Sequence, residues 1–179
     1  MLQKSSTLKT AEIFFLEPTK EHYLMEISRK IKIAHTSTKN NLDKLARQGM
    51  IKKQIKTRAS RRFPIFTANI DNSEYKNYKR LFNYQTIIEI GLIKHIQDKL
   101  MPKTIVLFGS YFRGEDIENS DIDIFIECKK QNINLDKFNK KLKRTIELHF
   151  KEDFKKYPKE LKNNIMNGIT LSGFLEGFR

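Results

Sequence analysis

Residues 104–126 constrain the fold of this chain more tightly than any other stretch, because two short apolar runs there bracket a Gly-Ser pair and two aspartates. Thr104–Phe108 (TIVLF) is continuously apolar and reads as a short buried strand. Gly109 and Ser110 follow at once, and YFRGE then opens a short helical turn. A strand that ends in Gly-Ser and feeds a helix aims backbone N–H groups and a hydroxyl at one point, where phosphate oxygens fit. At Gly109 the missing side chain would let such a ligand approach the backbone. In SDIDIFI, residues 120–126, strand alternation sends Asp121 and Asp123 to one face and Ile122, Ile124 and Ile126 to the other. Adjacent ionised carboxylates repel and make poor core material. A divalent cation resolves the repulsion, and oxygen ligands suit Mg²⁺. The competing reading is a solvated strand edge with incidental acids.

The stretch GSYFRGEDIENSDID has the pattern Gly-Ser, ten residues, Asp, one residue, Asp. It resembles the signature of the DNA polymerase beta-like nucleotidyltransferase superfamily, particularly its minimal stand-alone members, over about residues 100–177. The resemblance implies a small mixed sheet flanked by helices, with a third carboxylate on a later strand. After an expected helix over Asp136–Lys143, the segment Thr145–Phe150 (TIELHF) places Glu147 at that point, where the family more often has Asp. His149 falls on the same side as Glu147, as a base, a phosphate contact or an accessory group. Glu152 and Asp153, at an expected helix start, are weaker metal candidates than Glu147.

The implied chemistry is metal-dependent in-line transfer of a nucleoside monophosphate from a nucleoside triphosphate to an acceptor hydroxyl, with release of pyrophosphate. Asp121, Asp123 and Glu147 would hold Mg²⁺, while Gly109, Ser110 and Arg113 contact the triphosphate. ATP ranks first among the triphosphates, although no residue pattern identifies a base pocket. Related minimal enzymes include antitoxin-like proteins that modify a partner protein with AMP, which ranks a protein hydroxyl first as acceptor. Others extend RNA or modify small molecules. The alternative is a DNA-binding transcriptional regulator whose transferase half binds nucleotide without reacting.

Charge separates the front of the chain from the rest. The formal net charge is +14, and residues 1–70 contribute 15 basic and 5 acidic side chains to it. That excess favours phosphate-bearing partners without dictating a fold. Apolar spacing predicts three short helices, over Thr7–Phe15, His22–Ile33 and Thr36–Gln48, with Gly49 as a stop. Two strands follow, Met50–Thr57 and Arg61–Ala68, around a polar turn. The segment TSTKNNLDKLARQGMIKK resembles the recognition helix and first wing strand of winged helix-turn-helix proteins. On that resemblance Thr36, Ser37, Lys39, Asn40 and Lys44 are candidates for a groove-facing surface, and Arg58, Arg61 and Arg62 crown the wing. DNA or structured RNA is the implied partner, against protein docking or a merely solvated hairpin.

From Glu74 to Leu100 apolar residues recur at helical spacing, as one long helix or two broken near Gly91. This connector offers a stripe for packing or homodimerisation. Tyr75, Tyr78 and Tyr84 on it either stack on bases or pack in a core. The expected organisation is therefore α+β: a winged helix-turn-helix over 1–70, a helical connector over 71–101 and a mixed-sheet nucleotidyltransferase domain over 102–179. Cys128 is the single cysteine, which excludes an intrachain disulfide and reads as a buried thiol. No run of apolar residues is long enough for a membrane span and no secretory pattern opens the chain, so a cytoplasmic location is expected.

Overall fold

The computed structural model describes residues 4–58, 60–152, 154 and 157–176. The chain divides into two compact units, Met1–Lys79 and Arg80–Arg179.

The first unit begins with α1 (Ser6–Leu16), capped by the Ser5 hydroxyl, which accepts from the Leu8 N–H. Its inner face carries Ala11, Phe14 and Phe15. Next come β1 (His22–Tyr23), α2 (Leu24–Ile31) and α3 (His35–Arg47). The helix expected from His22 starts two residues later. His22 and Tyr23 instead pair with Phe66 and Ile65. The His22 ring is buried edge-on against Phe14 at 5.3 Å, and its Nε2 lies 3.3 Å from the Glu17 carbonyl. On α3, the three- and four-residue spacing of Thr38, Asn41, Leu42 and Leu45 puts all four in the core. Gly49 turns the chain at φ +71 into β2 (Ile51–Arg58) and β3 (Arg61–Ala68). These two strands pair along their whole length, from Ile51↔Ala68 to Arg58↔Arg61, in a sheet ordered β1-β3-β2. Tyr75 belongs to this core, where its hydroxyl donates to the Phe14 carbonyl at 2.8 Å. It is therefore a packing residue rather than a base-stacking one.

Helix α4 (Ser73–Glu89) starts in the first unit and ends in the second. Gly91, at φ +76, separates it from α5 (Leu92–Leu100), so the apolar stretch forms two helices. The second unit then builds β4 (Thr104–Phe108), α6 (Gly109–Arg113), β5 (Ile122–Ile126), α7 (Asp136–Leu142), β6 (Ile146–Phe150), α8 (Lys159–Met166) and β7 (Ile169–Gly173). The sheet order is β6-β5-β4-β7, with β5 and β6 parallel and the other pairs antiparallel. One face, with Ile105, Leu107, Ile122 and Ile124, packs against Ile96 and Phe138 in the larger core. On the other, Val106, Phe108 and Phe125 are covered by Phe154 and Ile165. Neither α8 nor β7 had a strong signal in sequence. Cys128 is only half-buried, because β5 stops two residues before it. Among the described residues no helix is long and apolar enough to cross a membrane.

Candidate active site

The sheet register assembles the site. Phe108 of β4 pairs with Asp123 of β5, and Asp123 pairs in turn with Glu147 of β6. One step along, Val106, Phe125 and His149 form the next row. Residues paired directly across a sheet share a face, so Asp123, Glu147 and His149 lie beside the smaller core. One ligand atom from each of these three side chains falls within 4.8 Å of the other two. His149 Nε2 sits 3.1 Å from Asp123 Oδ1, and the Phe108 ring stands edge-on to the imidazole at 5.1 Å. The hydrogen bond with Asp123 raises the His149 pKa. Burial opposes it, and the charges of Glu147 and Asp123 add to it. Two carboxylates and an imidazole nitrogen at this spacing are a donor set that fits a divalent cation.

Gly109 has a specific reason to be glycine. At φ +75, a Cβ built there would stand 2.3 Å from Asp123 Oδ2. The space that the sequence pattern gives to a ligand is filled by the Asp123 carboxylate, which packs directly against the turn. Ser110 is half-buried in α6, and its carbonyl accepts from the Glu115 N–H at 3.0 Å. Arg113 is exposed and its Nε donates to Glu115 Oε2 at 2.8 Å. Asp121 precedes β5, is exposed, and is not one of the three clustered residues. Glu152 is exposed and outside the cluster, while Asp153 lies outside the described residues.

A second set of residues, with no signal in the sequence pattern, fixes the loop between Ser110 and Asp121. Asp116 is buried and meets Arg144 through Oδ2 at 2.7 Å, and Asn83 Nδ2 donates to its Oδ1 at 2.8 Å. The same Asn83 group donates to the Tyr111 carbonyl at 2.8 Å. Arg144 Nη1 also donates to the carbonyls of Ile117 and Ser120. One buried cation thus ties down the segment that delivers Asp121.

In the first unit, Thr36, Ser37, Lys39, Asn40 and Lys44 of α3 are all exposed. Arg61 and Arg62 are exposed on β3. The backbone of Arg58 pairs with that of Arg61, but its side chain lies outside the described residues. Three hairpin lysines have acidic partners: Lys53 with Asp43 at 3.3 Å, Lys56 with Glu21 at 2.6 Å and Lys52 with Asp71 at 3.7 Å. The basic excess of the hairpin is therefore partly neutralised within the unit.

Residues 90–171 match the model of the nucleotidyltransferase domain family. Over 39 residues the chain is 54% identical to a Methanocaldococcus jannaschii protein named "Putative protein adenylyltransferase". That stretch is 22% of this chain and 39% of the relative, so the chain spans about two fifths of the relative's length. Two solved structures are similar in part. One, titled "Possible transcriptional regulator", comes from Methanosarcina mazei Go1: TM-score 0.38, 13% identity, 54% of this chain and 76% of that one. The other is a single-substitution mutant of Lactococcus lactis ZitR: TM-score 0.40, 18% identity, 55% of this chain and 63% of that one.

Proposed function

We propose that the second unit is a divalent-metal-dependent nucleotidyltransferase that moves a nucleoside monophosphate, AMP first, from a triphosphate to a hydroxyl on a protein. The observation that carries this reading is the Asp123–Glu147 pair, set side by side on parallel strands against the Gly109–Ser110 turn. The family match over residues 90–171 supports the reaction class. The name of the M. jannaschii relative supports AMP and a protein acceptor.

In the reaction the acceptor oxygen attacks the α-phosphorus, the bond to the bridging oxygen breaks, pyrophosphate departs and the hydroxyl proton passes to solvent. A bound divalent cation such as Mg²⁺ supplies charge neutralisation and Lewis acidity at the phosphoryl oxygens. Asp123 and Glu147 would hold it, with Asp121 at the edge of the site. Ser110 offers its hydroxyl to the triphosphate. Arg113 reaches the phosphates by exchanging its Glu115 partner for them. Arg144, through Asp116 and the loop carbonyls, keeps the loop ahead of Asp121 in place.

The first unit, on the same proposal, is a winged helix-turn-helix that presents α3 and the tip of the β2–β3 hairpin to duplex nucleic acid. Four of the exposed α3 residues support it: Ser37, Asn40, Lys44 and Arg47 recur at spacings of three and four along one face. Replacing Arg61 and Arg62 with Ala should weaken duplex binding across sequences and lower the slope of log affinity against log salt by about two. An unchanged slope removes Arg61 and Arg62 from any phosphate contact.

The transferase reading is tested by incubating the protein with each α-labelled triphosphate and host lysate, while following pyrophosphate release. Transfer of label from ATP to a protein band, lost in Asp123→Asn, is the expected result. Nucleotide binding without pyrophosphate release would leave the regulator with an unreactive transferase half.

A further inference from the structure

We propose that His149 is a direct metal ligand, and that the site therefore selects a first-row transition cation over Mg²⁺. The inference rests on the transferase reading of the same site and departs from an all-carboxylate version of it. Among the described residues, the three side chains whose ligand atoms lie within 4.8 Å of one another are Asp123, Glu147 and His149, and Asp121 is not among them. The register explains why. Asp123 and Glu147 are paired across β5 and β6, and His149 follows Glu147 by two residues on the same face.

The imidazole is held where a ligand must be. Its Nε2 lies 3.1 Å from an oxygen of Asp123, and the edge-on Phe108 ring backs it at 5.1 Å. Two oxygens and one nitrogen make a mixed donor set. Mg²⁺ demands near-octahedral oxygen coordination and sheds water reluctantly, whereas imidazole suits Fe²⁺, Ni²⁺, Cu²⁺ and Zn²⁺, with Mn²⁺ the weakest binder of that row. A histidine in this position gains little for Mg²⁺ and adds a bond for the later first-row cations, for which Mn²⁺ is the paramagnetic reporter.

The alternative role for His149 is to orient Asp123 by a hydrogen bond from outside the coordination sphere. Pulsed electron paramagnetic resonance on the full chain loaded with Mn²⁺ separates the two. Direct ligation gives ¹⁴N coupling to the Mn²⁺, which shifts to the ¹⁵N pattern when the histidines are ¹⁵N-labelled and disappears in His149→Gln. Titration calorimetry should show His149→Gln losing at least about tenfold in Mn²⁺ affinity, with Mg²⁺ affinity held within about threefold. If Mn²⁺ binds in an Asp123-dependent manner without nitrogen coupling, the His149 proposal falls and the transferase reading stands. If Asp123→Asn binds Mn²⁺ as the wild type does, both fall. The wild-type spectrum carries the decision even should His149→Gln fold poorly.

Discussion

Replacing Gly109 with alanine measures how closely the Asp123 carboxylate is fitted to its turn, because Gly91 supplies a matched control. The two glycines have nearly the same φ, +75 and +76, but Gly91 has nothing within 4 Å of a built Cβ. Alanine in the left-handed region costs about 1–2 kcal/mol. About 0.4–1 kcal/mol is regained because the unfolded chain loses freedom. Gly91→Ala should thus cost about 1 kcal/mol. At Gly109 the new methyl would meet Asp123 Oδ2 at 2.3 Å and Cγ at 3.1 Å, so the carboxylate must turn away. Leaving its rotamer costs about 0.5–1.5 kcal/mol. Losing the hydrogen bond to His149 costs about 1 kcal/mol more, at the low end for a charged partner because both side chains are partly exposed. Gly109→Ala should therefore be about 2 kcal/mol worse than Gly91→Ala. Hydrogen exchange at the β4 and β5 amides of the full chain reads that difference as local opening free energy, and calorimetry reads the loss of divalent affinity expected only at Gly109. Equal losses in the two variants, or wild-type metal affinity in Gly109→Ala, would refute the reasoning.

Glu147→Gln should keep triphosphate binding within about threefold yet lose at least about 10²-fold in turnover, the mark of an interaction used mainly in the transition state; normal turnover would remove Glu147 from the site. Arg144→Met leaves Asp116 buried without its cation and should cost about 3–5 kcal/mol in denaturant unfolding, with part of the loss recovered when Asp116→Asn is added. No recovery in the double variant would mean that packing, not charge, dominates there. At Glu17, burial pushes the carboxyl up, but Lys30 and Lys20 outweigh it and hold the pKa at about 2, below its ordinary 4.5. The native state then binds fewer protons than the unfolded chain, so this stabilisation is whole above pH 4.5 and disappears as pH falls toward 2. The stability gap between wild type and Glu17→Gln should narrow across that window in circular dichroism melts, and a constant gap would sink the assignment.

Much of this arrangement is legible in the sequence where periodicity is strong. The alternation of Ile122, Asp123 and Ile124 gives the two faces of β5, and Ile146, Glu147 and Leu148 give those of β6. The break at Gly91 is marked by the glycine itself. His149 could be placed on the same face as Glu147 by alternation alone, but its approach to Asp123 depends on the parallel register, which no local pattern encodes. The Asp116–Arg144 pair was illegible for a similar reason. Each residue looks like an ordinary surface charge, and only the fold brings the two together across 28 positions. His22 joined the helical pattern by its neighbours' spacing, whereas burial against Phe14 and pairing with Phe66 decided its strand conformation.

The parallel pairing of β5 and β6 makes the site an all-or-nothing property of alignment. Sliding β6 by one residue would carry Glu147 and His149 together to the apolar face and put Ile146 and Leu148 in their places. Two contacts guard the correct setting: the Ile122 N–H donates to the Thr145 carbonyl at 2.9 Å, and the Ile146 N–H to Asn139 Oδ1 at 3.1 Å. Asn139 sits on α7, in the crossover that joins the two strands. A length change in the segment between Asn139 and Ile146 thus acts on the chemistry as a switch, whereas the same change in residues 129–134, ahead of α7, leaves the alignment to its pins.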